Sequence, residues 1–292
     1  MRMKQINKLK KQYNDIEIPS ELDEVVKQTI QRATITKKRR SPVKRWSLGV
    51  AVAVAMFVGS INVSPAFANS LVNIPVLGSI VEVFTVQTLT MDKETYQANL
   101  KTPAISGLDS EGLQTALNEK YIEENKELFK QFKADVADME KVGAGHMGID
   151  SGYEVKTDTE QLLSIARFEV NMVGSSSTTM QYDTIDKQNN ILITLPSLFK
   201  DDSYVEIISA YIKDDIKQQM KDDKNAAYLT SEGADPEFHS IQANQNFYIT
   251  ADHKLVISFD KYEIAAGYMG VVTFEIPSDI LSDVLVGDTY IQ

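Results

Sequence analysis

The 292-residue chain has no cysteine. Disulfide bonds, zinc–thiolate centres, cysteine nucleophiles and a lipid-modified cysteine are therefore excluded. Histidine is scarce too. His146, His239 and His253 are the three present, and no two stand at metal-ligand spacing. No H-E-x-x-H, G-x-S-x-G or Walker loop occurs. The string GAGH at 143–146 lacks the lysine and the strand-to-helix setting of a phosphate loop. No catalytic residue, metal or cofactor is expected, and the chain reads as a non-enzyme. One further absence is local: residues 46–81 carry no charge at all.

That gap divides the chain. Residues 1–45 hold 13 Lys or Arg against 5 Asp or Glu, a net charge of +8. Residues 82–292 hold 17 basic and 36 acidic residues, a net charge of −19. Residues 46–64, WSLGVAVAVAMFVGSINVS, are long enough as a helix to span about 28 Å, close to a bilayer core. Lys37, Lys38, Arg39, Arg40, Lys44 and Arg45 precede the run, and the next charge is Glu82. The positive-inside rule places the N-terminus in the cytoplasm and the acidic part outside. The expectation is a single-pass protein of the cell membrane. Its parts are a 1–45 tail, a 46–64 span, a 65–95 juxtamembrane linker and a 96–292 outer domain, with possible subdomains 96–196 and 197–292. Pro65 ends the span, and Ala66-Phe67-Ala68 follows. Small residues at Ala66 and Ala68 suit signal peptidase, with the cut before Asn69.

The tail shows two short amphipathic patterns. Ile6, Leu9, Tyr13 and Ile16 recur at helical spacing. After Pro19, Ser20 and Asp23 resemble a capping box, and Leu22, Val25, Val26 and Ile30 form an apolar stripe. Helices this short are marginal alone in water and call for a partner surface.

Beyond the span the periodicity predicts an α+β domain, a mostly antiparallel sheet with packed helices. Helices are expected over 109–141 and 203–221. The second would turn Val205, Ile208, Ile212, Ile216 and Met220 inward. Period-two alternation predicts strands from 162, at 180–186, 191–195, 246–250 and 255–259, and over 271–276. GSSSTT at 174–179 reads as a loop, and a short helix is expected near Ser278. The pairs Asp201-Asp202, Asp214-Asp215 and Asp222-Asp223 read as a solvated face. In EIAAGYMGVVTFEIP (263–277), Tyr268 and Met269 sit between Gly267 and Gly270. That suits either an exposed turn entering a partner's cleft or a hairpin whose tyrosine folds onto the core.

Several strings carry a resemblance. They are IEIPSELDEVV (16–26), KTPAISGL (101–108), NEKYIEEN (118–125), TDTEQLLSI (157–165), SLFKDDSYVEIIS (197–209), FYITADHKLVISFDKYEIAAGYMGV (247–271) and LVGDTYI (285–291). Together they resemble the lysozyme-responsive anti-sigma-V factors of Gram-positive bacteria. The resemblance implies a tail that holds an extracytoplasmic-function sigma factor and an outer domain that binds lysozyme, a basic protein. It further implies cleavage by signal peptidase after Ala68, a second cut by an intramembrane protease, and release of the sigma factor. Lysozyme contacts carried over are Ser176, Gly267, Tyr268 and Met269. Relatives have proline where this chain has Ala266. A gate is expected in which Ile74, Val76, Leu77, Ile80, Val81 and Phe84 shield the Ala68–Asn69 bond until ligand binds. The alternative is an exported protein that only binds cell-wall glycan.

Overall fold

The computed structural model describes residues 81–143, 145–229 and 238–292. Chain order becomes sheet order in the first sheet. Strands β1 (Glu82–Asp92), β2 (Tyr96–Ser106), β3 (Met147–Asp158), β4 (Leu162–Val173), β5 (Ser175–Asp186) and β6 (Ile191–Ile193) lie side by side. All neighbours are antiparallel except β2 and β3. A parallel pair needs a long crossover, supplied here by helix α1 (Glu111–Val142). Ser110 opens α1 by accepting the Leu113 N–H at 3.3 Å. Gly143 closes it in the left-handed conformation, φ 75°, and its N–H reaches the Met139 and Glu140 carbonyls.

Helix α1 buries Leu117, Tyr121, Phe132 and Val136 against one face of the sheet. Its C-terminal half packs on Tyr96, Leu100, Met147 and Ile149. Its N-terminal half packs on Ile105, Leu163, Ile165 and Ile185. An ion network pins the same face: Arg167 bonds to Glu124 and, at 3.2 Å, to Asp183, which Lys120 also reaches at 3.0 Å.

The other face of β4 and β5 meets a second sheet. Strands β7 (Phe247–Ile249), β8 (Leu255–Phe259) and β9 (Val272–Ile276) are antiparallel in that order. Helix α2 (Ser203–Asp222) covers them with Ile208, Ile212 and Ile216, all fully buried. Their core includes Ile249, Ile257, Phe259 and Phe274, and also Leu162 of β4 and Ile193 of β6. Polar contacts seal the junction. The Thr157 hydroxyl donates to the Ile249 carbonyl at 2.6 Å. Tyr182 stacks on Tyr248 and its hydroxyl donates to Ser258 at 3.0 Å.

The α+β class and the mostly antiparallel sheet agree with the sequence reading, as do both helices to within two residues. The run 174–179 differs: only Gly174 is a turn, at φ 71°, and Ser175–Thr179 is strand paired to β4. The neighbouring β4 backbone supplies a complete ladder, which decides the conformation of a hydroxyl-rich run without strong preference of its own. Residues 82–92, inside the expected 65–95 linker, form β1 and belong to the sheet. Met220, two residues before the end of α2, is 40% exposed rather than inward. The 46–64 span and the 1–45 tail lie outside the described residues. Among the described residues, no helix is long and apolar enough to cross a membrane.

Asp186 is fully buried at the end of β5. It accepts the Asn189 N–H at 2.7 Å, the Tyr290 hydroxyl at 2.8 Å and the Asn189 and Gln161 amides. Burial pushes its pKa up, but these hydrogen bonds outweigh it and hold the carboxyl below the ordinary aspartate value. The Tyr290 phenol is pushed up to about 12 by burial and by that bond. A depressed carboxyl contributes stability above its unfolded pKa of about 3.9, and that stability is lost as pH falls through the folded value. The urea midpoint of wild type should therefore fall as pH is lowered through this acid range. Asp186→Asn should show a flatter acid limb and lower stability at pH 7; identical acid limbs would refute the assignment.

Candidate functional site

The β4–β5 turn exists because Gly174 reverses the chain at positive φ. It sets Ser175 and Ser176 at one end of the large sheet. The segment that follows β8 lies against this turn. Lys261 donates its main-chain N–H to the Thr178 carbonyl at 3.0 Å and its ammonium to Ser176 Oγ at 2.8 Å. The Asp260 carboxylate accepts the Met180 N–H at 2.7 Å, and burial raises its pKa. The Tyr262 hydroxyl and Ser175 Oγ share a hydrogen bond of 2.9 Å. The Lys261 ammonium also stands 5.1 Å from the Tyr262 ring centre.

The Tyr262 ring then reaches the second loop. A Cβ on Gly267 would lie 2.1 Å from Tyr262 Cε1. Only glycine at 267 admits the ring at that distance. Residues Gly267–Met269 form a 3-10 turn, entered by extended Ala266 and left through Gly270 at φ 70°. The tyrosine and methionine of this turn part company. Tyr268 is 70% exposed, with its hydroxyl donating to the Asn225 carbonyl. Met269 packs on the α2 core, and its sulfur accepts the Ala227 N–H at 3.2 Å. The Ala266 N–H donates to the Ala227 carbonyl at 2.8 Å, and Tyr228 bridges to Ala265. The exit of α2 therefore backs the loop along its length.

Of the residues singled out in the sequence, Ser176, Gly267, Tyr268 and Met269 lie on two segments joined at one end of the domain. None of the four bonds to another. The joining residues are Lys261 and Tyr262, which sequence reasoning passed over. Tyr262 has φ 75°, a conformation that a tyrosine in sequence does not announce. Exposed Met172, Val173, Tyr262 and Tyr268 give this end an apolar and aromatic surface. Ala66, Ala68 and Asn69, and Leu22, Val25, Val26 and Ile30, lie outside the described residues. So do Ile74, Val76, Leu77 and Ile80 of the expected gate. Val81 is half-buried and packs against the cluster that holds Ile105, Leu117 and Ile165, and Phe84 is half-buried on β1.

The acidic pairs have structural partners. Hydrogen bonds from the Ser203 hydroxyl and from the Ser203 N–H, the latter at 2.9 Å, lower the Asp201 pKa. Asp214 pairs with Lys217, and Asp223 accepts the Asn225 N–H. Among the described residues, no group of three or more His, Asp or Glu side chains is arranged to hold a metal ion. His146, His239 and His253 all sit in loops.

Known proteins agree with a chain of this build. Residues 38–214 match a domain of unknown function, DUF4179, and residues 196–279 match a protein family of unknown function, DUF3298. The chain is 44% identical over 291 residues to the anti-sigma-V factor RsiV of Bacillus subtilis strain 168, covering 99% of each. It is 23% identical over 203 residues to the peptidoglycan-N-acetylmuramic acid deacetylase PdaC of the same strain, covering 68% of this chain and 41% of that protein. Its fold is shared with a DUF3298-family protein of Bacteroides fragilis NCTC 9343, at a TM-score of 0.51 and 15% identity, covering 72% of this chain and 95% of the other.

Ala266 has φ −59° and ψ 143°, which proline adopts without strain. Proline would stiffen the unfolded chain but lose the bond from the Ala266 N–H to the Ala227 carbonyl. The ring carbon would also replace the amide hydrogen that faces the Ala227 oxygen, so the loss outweighs the entropic gain. Ala266→Pro should therefore lower stability by about 1 kcal/mol or more in urea denaturation. Unchanged or raised stability would mean that the Ala227 bond contributes little to the loop.

Proposed function

We propose, given that the chain belongs to the anti-sigma-V factor family, that it holds an extracytoplasmic-function sigma factor inactive at the membrane. Its outer domain is the receptor for lysozyme. The carrying observation is identity that runs through both the tail and the outer domain, over 99% of each chain. The charge division supports it: a +8 tail, a charge-free run and a −19 remainder suit a single-pass protein with its N-terminus inside. Leu22, Val25, Val26 and Ile30 offer the sigma factor an apolar stripe. An acidic domain attracts a strongly basic ligand and speeds its association. Tyr268, exposed and tethered at its hydroxyl, has the character of an interface anchor. An exported wall-binding protein, the reading that similarity to a peptidoglycan deacetylase would favour, has no use for a two-stripe cytoplasmic tail.

Binding to the Ser176 and Gly267–Met269 surface is the test. The full chain in detergent, titrated with hen-type lysozyme at two salt concentrations, should bind tightly and more weakly at high salt. Tyr268→Ala should lose at least about thirtyfold, a hot-spot loss of about 2 kcal/mol. No binding at either salt would remove lysozyme as the ligand and leave the sigma-factor role standing.

Release follows by proteolysis. Signal peptidase cuts between Ala68 and Asn69 once ligand favours a state in which residues 74–84 no longer shield that bond. An intramembrane protease then cuts within 46–64 and frees the sigma factor. In cells, Val76→Asp with Leu77→Asp should give cleavage without lysozyme. Cleavage that still waits for lysozyme would rule out this shield.

A further inference from the structure

The two segments of the surface come from opposite sides of the domain's architecture. Ser175 and Ser176 belong to the six-stranded sheet, and residues 265–270 lie in the connection between β8 and β9 of the smaller one. Ser175 and Tyr262 are 87 positions apart in sequence. Independently mobile segments would each have to be ordered by a ligand, at an entropic cost.

We propose that Tyr262 is a positioning residue that couples the β4–β5 turn to the 265–270 loop, so that they meet a protein ligand as one preorganised surface. Three observations converge on it. The ring lies on the backbone of Gly267 so closely that a methyl group there would overlap it. The hydroxyl is bonded to Ser175. The adjacent Lys261 ties Ser176 through its side chain and Thr178 through its main chain. The backbone at Tyr262 has φ 75°, which costs a non-glycine residue about 1–2 kcal/mol and persists only where the surroundings over-determine it. Those surroundings are the two segments themselves. At 44% exposure, one side of the residue faces solvent while its hydroxyl and ring edge are engaged on the two loops. The ligand named in the test rests on the receptor reading; the coupling between the loops does not.

Hydrogen exchange on the full chain in detergent, without ligand, reads the coupling directly. Tyr262→Ala should raise exchange at amides 174–177 and 266–270 while β4 and β8 stay protected. Tyr262→Phe keeps the ring on Gly267 and should loosen 174–177 alone. Gly267→Ala, which leaves the turn's own residues intact, should loosen 174–177 by displacing the ring. No change at 174–177 in Gly267→Ala would overturn the coupling. Lysozyme then reads the consequence: about tenfold weaker binding by Tyr262→Ala, mostly recovered in Tyr262→Phe. Loosened loops with undiminished binding would overturn preorganisation. If wild type shows the exchange pattern but binds no lysozyme, the receptor reading fails and the coupling stands.

Discussion

The β4–β5 ladder carries two cores at once, and the remaining architecture depends on it. Strand side chains alternate, so Leu163, Ile165 and Ile185 serve the α1 face while Leu162, Ser164 and Thr184 serve the smaller sheet. A slip of one residue in this pairing would exchange the two sets. Arg167 and Asp183 would leave Glu124 and Lys120, and Tyr182 would leave Tyr248 and Ser258. The register from Leu162↔Asp186 to Val173↔Ser175 is unbroken over the whole length of both strands. The same ladder carries the turn at Gly174 to the place where the 260–262 segment can reach it.

The parts legible in the sequence are those where one period is long and one face is apolar. Helices α1 and α2 satisfy that, with Leu117, Tyr121, Phe132 and Val136 on one and Ile208, Ile212 and Ile216 on the other. Strands β1, β2 and β3 do not. In β2 the alternation of Tyr96, Ala98 and Leu100 with polar residues ends at Thr102 and Pro103, after which Ala104 and Ile105 are both buried. In β3, Gly148 and Gly152 stand where Met172 and Phe168 lie flat across the strand, so the larger residues that fill those places belong to β4. No single-strand pattern records a side chain lent by a neighbour. The site divides in the same way. Tyr268 between two glycines is conspicuous in the sequence, whereas Tyr262 becomes conspicuous only when its backbone conformation and its contact with Gly267 are seen.

The joined loops at this end of the domain are held by backbone and side chain in different proportions. Along the α2 exit, Ala266, Met269 and Tyr268 are held mainly by main-chain groups of residues 225–227. Toward β5 the hold is by side chains, Lys261 and Tyr262. Ala266 is held main chain to main chain, whereas Tyr268 and Met269 reach those groups through their own side chains. On the β5 side, each change of residue removes a contact.

Among the described residues, strand β1 has a partner on one side only, and its ladder to β2 is broken in register between Thr85 and Gln87. In mechanical terms the domain is graded. A pull arriving from the N-terminal side loads a single ladder with a defect near its start. The β4–β5 pair lies three strands further in and is buried on both faces at its Leu162–Asp186 end. Load therefore meets the strand held by a single neighbour before it reaches the part of the sheet held by two cores.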